Sequence, residues 1–305
     1  GRNDWDSKLA YTKQMSFFYP SVGLSFVVSE LFDAPKALPY LKVRASWAEV
    51  GSAPSRFLTY EEFVYNEQTD SYGRPTTMFN PDLKPEKTNS WEVGVTFKAF
   101  NGFSLDVSYY DTRTFNQTFD SQLSVSSGYT ALYVQTGNVR NRGVELSLGY
   151  EHQWGIFGWN SNYTFSTNHN EVLELMENYT HPETGNVISL DQLKVGGFAN
   201  AAFVLTPGGT LGDLYTTVDL NRDEFGNVYV DKDGNISRNA EIGYRKLGSV
   251  FSKANMAWNN DFNVGNLNFG FLISARLGGI VYSATQARLD NFGVSEASAL
   301  ARDNG

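Results

Sequence analysis

Apolar and polar positions alternate along eight stretches of this chain. A period of two is the mark of a strand whose two faces meet different surroundings. Between Ser21 and Ser29, Val22, Leu24, Phe26 and Val28 point one way, and Ser21, Gly23, Ser25 and Ser29 the other. Leu41, Val43, Ala45 and Trp47 alternate with Lys42, Arg44 and Ser46; Trp91, Val93, Val95 and Phe97 alternate with Glu92, Gly94, Thr96 and Lys98. Phe103, Leu105, Val107 and Tyr109 oppose Ser104, Asp106 and Ser108, and Val144, Leu146, Leu148 and Tyr150 oppose Glu145, Ser147 and Gly149. Trp159, Tyr163 and Phe165 face away from Asn160, Asn162, Thr164 and Ser166. Ala254, Met256 and Trp258 do so from Lys253, Asn255 and Ala257, and Leu267, Phe269, Phe271 and Ile273 from Asn268, Gly270, Ser274 and Arg276.

The connections carry the next signal. They alternate between short (Glu30–Tyr40, Ala99–Gly102, Glu151–Gly158, Asn259–Asn266) and long (Ala48–Asn89, Asp111–Asn141, Thr167–Ser249). Asn101-Gly102 is a hairpin signal, because both residues tolerate positive φ. Short turns on one rim and long loops on the other are the pattern of an outer-membrane β-barrel, and a soluble sandwich has no reason to keep that parity. If the short turns are periplasmic, Trp47, Trp91 and Tyr109 fall near the outer rim. Phe97, Phe103, Tyr150, Trp159 and Trp258 then fall near the periplasmic rim. Both groups face outward, as aromatic girdles do. Val93, Val95, Leu105, Val107, Leu146 and Leu148 are expected to face lipid, and Glu92, Asp106, Glu145, Asn160 and Asn162 the lumen.

Composition narrows the classes. No apolar run of about eighteen residues occurs, so no transmembrane helix is expected. A barrel escapes that test, because alternating strands keep the mean hydropathy low, here -0.35. Aromatics make up 15% of the 305 residues, enough for two girdles. Cysteine is absent, which removes disulfides and thiolate chemistry. The net charge of -9 argues against a nucleic-acid partner.

Five short motifs, in order, resemble one family. They are Arg2-Asn3-Asp4-Trp5 with Ser16-Phe17-Phe18-Tyr19-Pro20-Ser21-Val22; Leu41-Lys42-Val43-Arg44-Ala45-Ser46-Trp47; Asn80-Pro81-Asp82-Leu83-Lys84-Pro85-Glu86-Lys87; Gly137-Asn138-Val139-Arg140-Asn141-Arg142-Gly143-Val144-Glu145-Leu146; and Gly278-Gly279-Ile280-Val281-Tyr282-Ser283. Together they are similar to the SusC/RagA group of TonB-dependent outer-membrane transporters. The resemblance implies an all-β, antiparallel transmembrane barrel of about twenty-two strands. This chain would supply at least eight of them. It also implies an N-terminal plug, coupling to TonB, and a SusD-like lipoprotein lid over the outer mouth. Residues 1–305 are expected to be a middle-to-late portion of the barrel domain. No plug, TonB box or closing C-terminal strand is recognised, and Asp290–Gly305 reads as a polar loop.

Catalytic chemistry finds little footing. His152, His169 and His181 are not at ligand spacing, and no nucleophile elbow or P-loop occurs. Pro207-Gly208-Gly209 reads as a turn. Asp231-Lys232-Asp233-Gly234-Asn235 reads as an Asp-Gly turn rather than a calcium loop, since its glycine comes early and the closing Glu is missing. No catalytic residue, metal ligand or cofactor is expected. The long loops are the better place for contacts. Phe115, Phe119, Tyr129 and Tyr133, with Leu132, lie between Asp111 and Asn141, where flat rings can stack on a sugar or peptide ligand. They can equally meet the lid or pack the loop on itself. The expected function is TonB-powered import of an oligosaccharide or peptide across the outer membrane. The other reading is a secreted or surface-attached glycan-binding β-module.

Overall fold

The computed structural model describes residues 1–31, 39–56, 58–60, 63–73, 76–80, 82–99, 102–122, 128–175, 179–180, 187–198, 201–239 and 243–303. Eight long strands carry the wall: β1 Ser21–Val27, β2 Tyr40–Ser52, β3 Glu86–Ala99, β4 Phe103–Phe115, β5 Val139–Trp154, β6 Phe157–Ser166, β7 Ala254–Val264 and β8 Leu267–Leu277. They lie side by side in chain order, every neighbouring pair antiparallel. A short strand, His169–Val172, continues the line of β6 along β5.

All eight alternating stretches are strands, with differences at their ends. Val28 and Ser29 leave the first stretch and enter a short helix, Val28–Leu31. Ser29 Oγ there accepts the amide of Leu41 at 3.2 Å. The segments Glu151–Gly158 and Asn259–Asn266 are not open turns. Strand pairing runs on to Trp154↔Phe157 and Val264↔Leu267. Only Gly155-Ile156 and Gly265-Asn266 remain as turns, each glycine at φ 59. Positive φ at the first of two turn residues is the type II′ pattern, whose twist matches the flanking strands. Asn101 lies outside the described residues. Gly102 has φ 110, and a Cβ there would come 1.6 Å from the Glu151 carbonyl oxygen. Only glycine lets this turn approach β5.

Register places the apolar residues of every wall strand on one face. One row runs Phe26, Val43, Val95, Val107, Leu146, Phe165 and Met256 across seven strands. Along the middle of the strands that face is open. Leu24 is 60% exposed, Val93 44% and Phe269 59%. The aromatics gather into contacting sets, Trp91 with Tyr109 at 5.3 Å towards the loop end and Tyr150 with Trp159 at 5.3 Å towards the turn end. Trp258 departs from the girdle expectation. It lies mid-strand in β7, and its indole N–H donates to Ser161 Oγ at 2.9 Å. With an acceptor on the wall itself, that indole does not need the interface.

Buried packing lies in the loops instead. Met78, Leu132, Val139, Val172, Leu175, Leu193 and Leu205 form one apolar cluster. Strand Gln117–Gln122 pairs antiparallel with Ala131–Thr136, which pairs in parallel with Thr77–Met78. The glycine-rich turn after Leu205 closes this cluster: the Gly208 amide donates to the Val172 carbonyl at 2.8 Å, and the Val172 amide donates to the Gly209 carbonyl at 2.8 Å.

The chain divides into two compact units, and these strands and the loop cluster belong to Gly1–Val195, Val204–Leu211 and Ser252–Gly278. In the other unit, Asp213–Thr216 pairs with residues 201–203 and with Arg245–Ser249. Its last part is helical where a loop was expected: helices occupy Ala284–Asn291 and Glu296–Asp303. Ser283 starts the first by accepting the Gln286 amide at 3.1 Å, a side-chain N-cap.

The two faces predict different tolerance to charge. Val95→Arg, on the apolar face of β3, is expected to destabilise the folded protein in lipid by about 2–4 kcal/mol. Ser147→Arg, on the polar face of β5, is expected to cost much less. Urea unfolding in lipid vesicles measures both, and equal costs would contradict the assignment of faces.

Candidate functional site

The polar face of the wall is built by side chains that reach across strands. Arg44 on β2 crosses β3 to bond Asp106 on β4 with both ends of its fork, at 3.0 and 2.9 Å. It also meets Glu92 at 3.4 Å. Thr96 Oγ1 donates to the same Asp106 carboxylate at 2.6 Å. The crossing is possible because β3 has a glycine beneath it. A Cβ on Gly94 would lie 2.5 Å from Arg44 Cζ. Tyr110 uses the same device over Gly143, where a Cβ would lie 2.6 Å from its hydroxyl. That hydroxyl bonds Asn168 Oδ1 at 3.2 Å. Towards β7, Asn259 Nδ2 donates to Asp261 Oδ2 at 2.6 Å.

Two recesses open on this face. One, of 420 Å³, is lined by Arg44, Glu92, Asp106, Glu145, Ser147 and Asn255 among others. The other, of 1060 Å³, includes Lys98, Ser104, Glu151, Asn160, Asp261 and Asn263. Their walls offer donors and acceptors in quantity, with opposite charges already paired by Arg44. Such a surface hydrates and hydrogen-bonds.

The loop aromatics do not form one cluster. Phe115 ends β4 on the apolar side, opposite Lys87. Phe119 and Tyr129 are partly buried against the loop core, and Leu132 is inside it. Tyr133 is half-buried; it sits opposite Asp120, and its carbonyl accepts from Asn80 Nδ2 at 3.0 Å.

One repeat escaped the sequence reading. Asp223-Glu224-Phe225-Gly226-Asn227 and Asp231-Lys232-Asp233-Gly234-Asn235 build the same turn twice. In the first, Asp223 Oδ1 accepts the amides of Phe225 and Asn227 at 2.9 and 2.8 Å. In the second, Asp231 Oδ1 accepts those of Asp233 and Asn235 at 2.9 and 2.8 Å. Hydrogen bonds from the Asn227 side chain and backbone hold the Asp223 carboxyl below its usual range. The Asn235 backbone and side chain do the same for Asp231. The shared spacing, aspartate then Gly-Asn at the fourth and fifth places, was the signal. These turns present Phe225, 81% exposed, and half-exposed Tyr229 and Val230.

Gly94→Val is expected to push Arg44 off Asp106 and leave a part-buried carboxylate without its fork. The loss should be about 1–3 kcal/mol. It is read as a lower unfolding midpoint, with Gly23→Val, where a Cβ meets nothing closer than 3.8 Å, as the control.

Comparison with known proteins agrees with this geometry. The family model described as TonB dependent receptor-like, beta-barrel matches residues 1–279. The TonB-dependent receptor SusC of Bacteroides thetaiotaomicron is 26% identical, over 91% of this chain and 29% of its own length. The TonB-dependent receptor P26 of Formosa agariphila is 29% identical, over 57% of this chain and 19% of its own. Among solved structures, the RagAB peptide transporter shares the fold with a TM-score of 0.66 at 20% identity, over 86% of this chain and 29% of that one. The chain thus spans less than a third of these relatives. The family match displaces the other reading, a secreted or surface-attached glycan-binding β-module, and an exposed apolar face of this kind suits lipid rather than water. An apolar face open to lipid, a polar face bridged by long side chains, turns at one rim and loops at the other, and the match over nearly the whole chain have one reading: this chain belongs to the TonB-dependent receptor β-barrel family and is wall of an outer-membrane barrel.

Proposed function

We propose that the whole protein imports a ligand too large for a porin, an oligosaccharide or a peptide, and that TonB supplies the energy. This chain contributes at least eight strands of the barrel domain and three of its long loops. The observation that carries the reading is the segregation of the wall: lipid-facing Val93, Val95, Val107 and Leu146 on one side, and Arg44, Asp106, Glu92 and Asn160 on the other. A polar lumen lets a hydrated ligand pass without desolvating the wall. The energy argument is general, since the outer membrane holds neither ATP nor an ion gradient of its own. A plug would gate the lumen, and a SusD-like lipoprotein would cover the outer mouth.

The loops would then face the cell exterior and the two-residue turns the periplasm. Phe115 and Tyr133 are the candidates for contact with ligand or lid. Phe119 and Tyr129, packed on the loop core, would support them. The peptide named for the RagAB transporter supports the peptide arm of this reading.

Orientation is tested by cysteine labelling. Glu224→Cys in the long loop should react with an impermeant maleimide on intact cells. Ile156→Cys at a two-residue turn should stay silent until the outer membrane is broken. The opposite pattern would invert the topology. Mechanism is tested by uptake of fluorescent oligosaccharides and oligopeptides into cells carrying the intact gene. Uptake is expected to stop when TonB is deleted. Undiminished uptake would make the protein a passive pore.

A further inference from the structure

Three arginines stand on the lipid side of the wall where a lumen-lining role is closed to them. Arg113 near the end of β4, and Arg140 and Arg142 at the start of β5, share the face of Tyr109, Val144 and Leu146. Two of them contact one carboxylate, and the third stands opposite it in the register. Asp111 is 3% exposed and bonds Arg140 through both Nε and Nη2. Arg113 Nε lies 3.8 Å from it. Arg142 is directly opposite Asp111 in the register and has no side-chain partner among the described residues. On the neighbouring short strand His169 and Glu171 lie 3.9 Å apart, Glu171 opposite Arg140 and His169 opposite Arg142. Three guanidinium groups thus meet two carboxylates, in a chain whose net charge is -9.

The position of this surplus matters. Trp91 is opposite Asp111, and Tyr109 opposite Val144, so the arginines begin where the loop-side girdle stands. Towards the turns the same face is aliphatic: Val93, Val95, Val107 and Leu146. Going down the wall, the order is cation, aromatic ring, aliphatic surface. That order is complementary to an amphiphile with an anionic head and several acyl chains. Asp111 holds the Arg140 fork in one orientation, and a guanidinium fixed in this way matches phosphate oxygens.

We propose that this patch binds the phosphorylated headgroup of a lipid in the outer leaflet, with its acyl chains lying along β3–β5. The inference rests on the orientation proposed above, which puts the loop end, and so the patch, in the outer leaflet. A bound phosphate would satisfy Arg142 and Arg113, and Asp111 would keep Arg140.

The test uses the full-length protein in phosphatidylcholine nanodiscs, with and without diphosphoryl lipid A as the probe. The variant R113A/R142A leaves the Arg140–Asp111 pair in place. Wild type should bind the probe, should discriminate against its dephosphorylated form, and should not lose it to inorganic phosphate. The variant should bind roughly thirtyfold more weakly, at about one arginine's worth of headgroup attraction each. R113K/R142K, which keeps charge without the fork, should fall between them and report on folding. Equal binding by wild type and R113A/R142A would overturn the proposal, as would equal binding of the dephosphorylated lipid. Displacement by inorganic phosphate would overturn the lipid as the source. Nanodiscs expose both leaflets to the probe, so an inverted labelling pattern would sink the orientation without touching this result.

Discussion

A backbone amide in hydrocarbon has no water to bond, so every peptide group of a membrane wall must be paired inside the protein. The architecture of this chain follows from that constraint. Consecutive strands pair without interruption from β1 to β8 because a gap would leave orphaned amides at the lipid. Two of the turns at one rim shrink to two residues for the same reason, and Gly155 and Gly265 supply the backbone geometry that makes them possible. The loop core lies at the other end, where water and apolar packing can satisfy irregular chain.

The second consequence is that this wall has no interior of the usual kind. Its apolar face meets lipid and its polar face meets the lumen, so packing density has to come from within each face. On the polar side that is done by long side chains lying over glycines, Arg44 over Gly94 and Tyr110 over Gly143. The bridging side chain replaces the missing Cβ and ties β2 to β4, or β4 to the segment after β6. On the apolar side, indoles turn inward to Ser161 and Asn260, the latter accepting from Trp159 Nε1 at 3.0 Å. These are outward-facing polar residues that strict alternation would count as errors. They become legible only once the partner strand is known.

Much of the wall was readable in the sequence because a two-sided strand must alternate, and alternation needs no partner to be seen. Loop parity was readable for a similar reason, since it depends only on distances along the chain. Of the candidate aromatics, Phe119, Tyr129 and Tyr133 were legible as loop residues but not by role, and Phe115 proved to end wall strand β4. The loop core draws Met78, Leu132, Val172, Leu193 and Leu205 from segments far apart, and no local period marks them. The strand ends were misjudged where Tyr150, His152 and Trp154 carry an outward stripe past Glu151 into what looked like a turn. The Asp-Gly-Asn repeat was half seen, because Asp231 was weighed as a metal ligand and Asp223 was not weighed at all. Both spend the same oxygen on two amides.

The loop core also bears on how the outer side of the wall can recognise anything. Val139 and Val172 are a cross-strand pair at the loop end of β5, and both are members of that core. The loops are therefore continuous with the wall, held by apolar packing at the rung where the membrane-facing register runs out. Tyr133 lies on a strand whose Leu132 is locked into the same core. If Tyr133 meets a ligand or lid as proposed, the contact would be made on a surface fixed relative to β5, and little ordering entropy would remain to be lost. Phe115 gains the same rigidity by another route, as the last paired residue of β4. Recognition on this side, as proposed, would depend on where the wall strands stop, and that is set by the loop core as much as by the membrane.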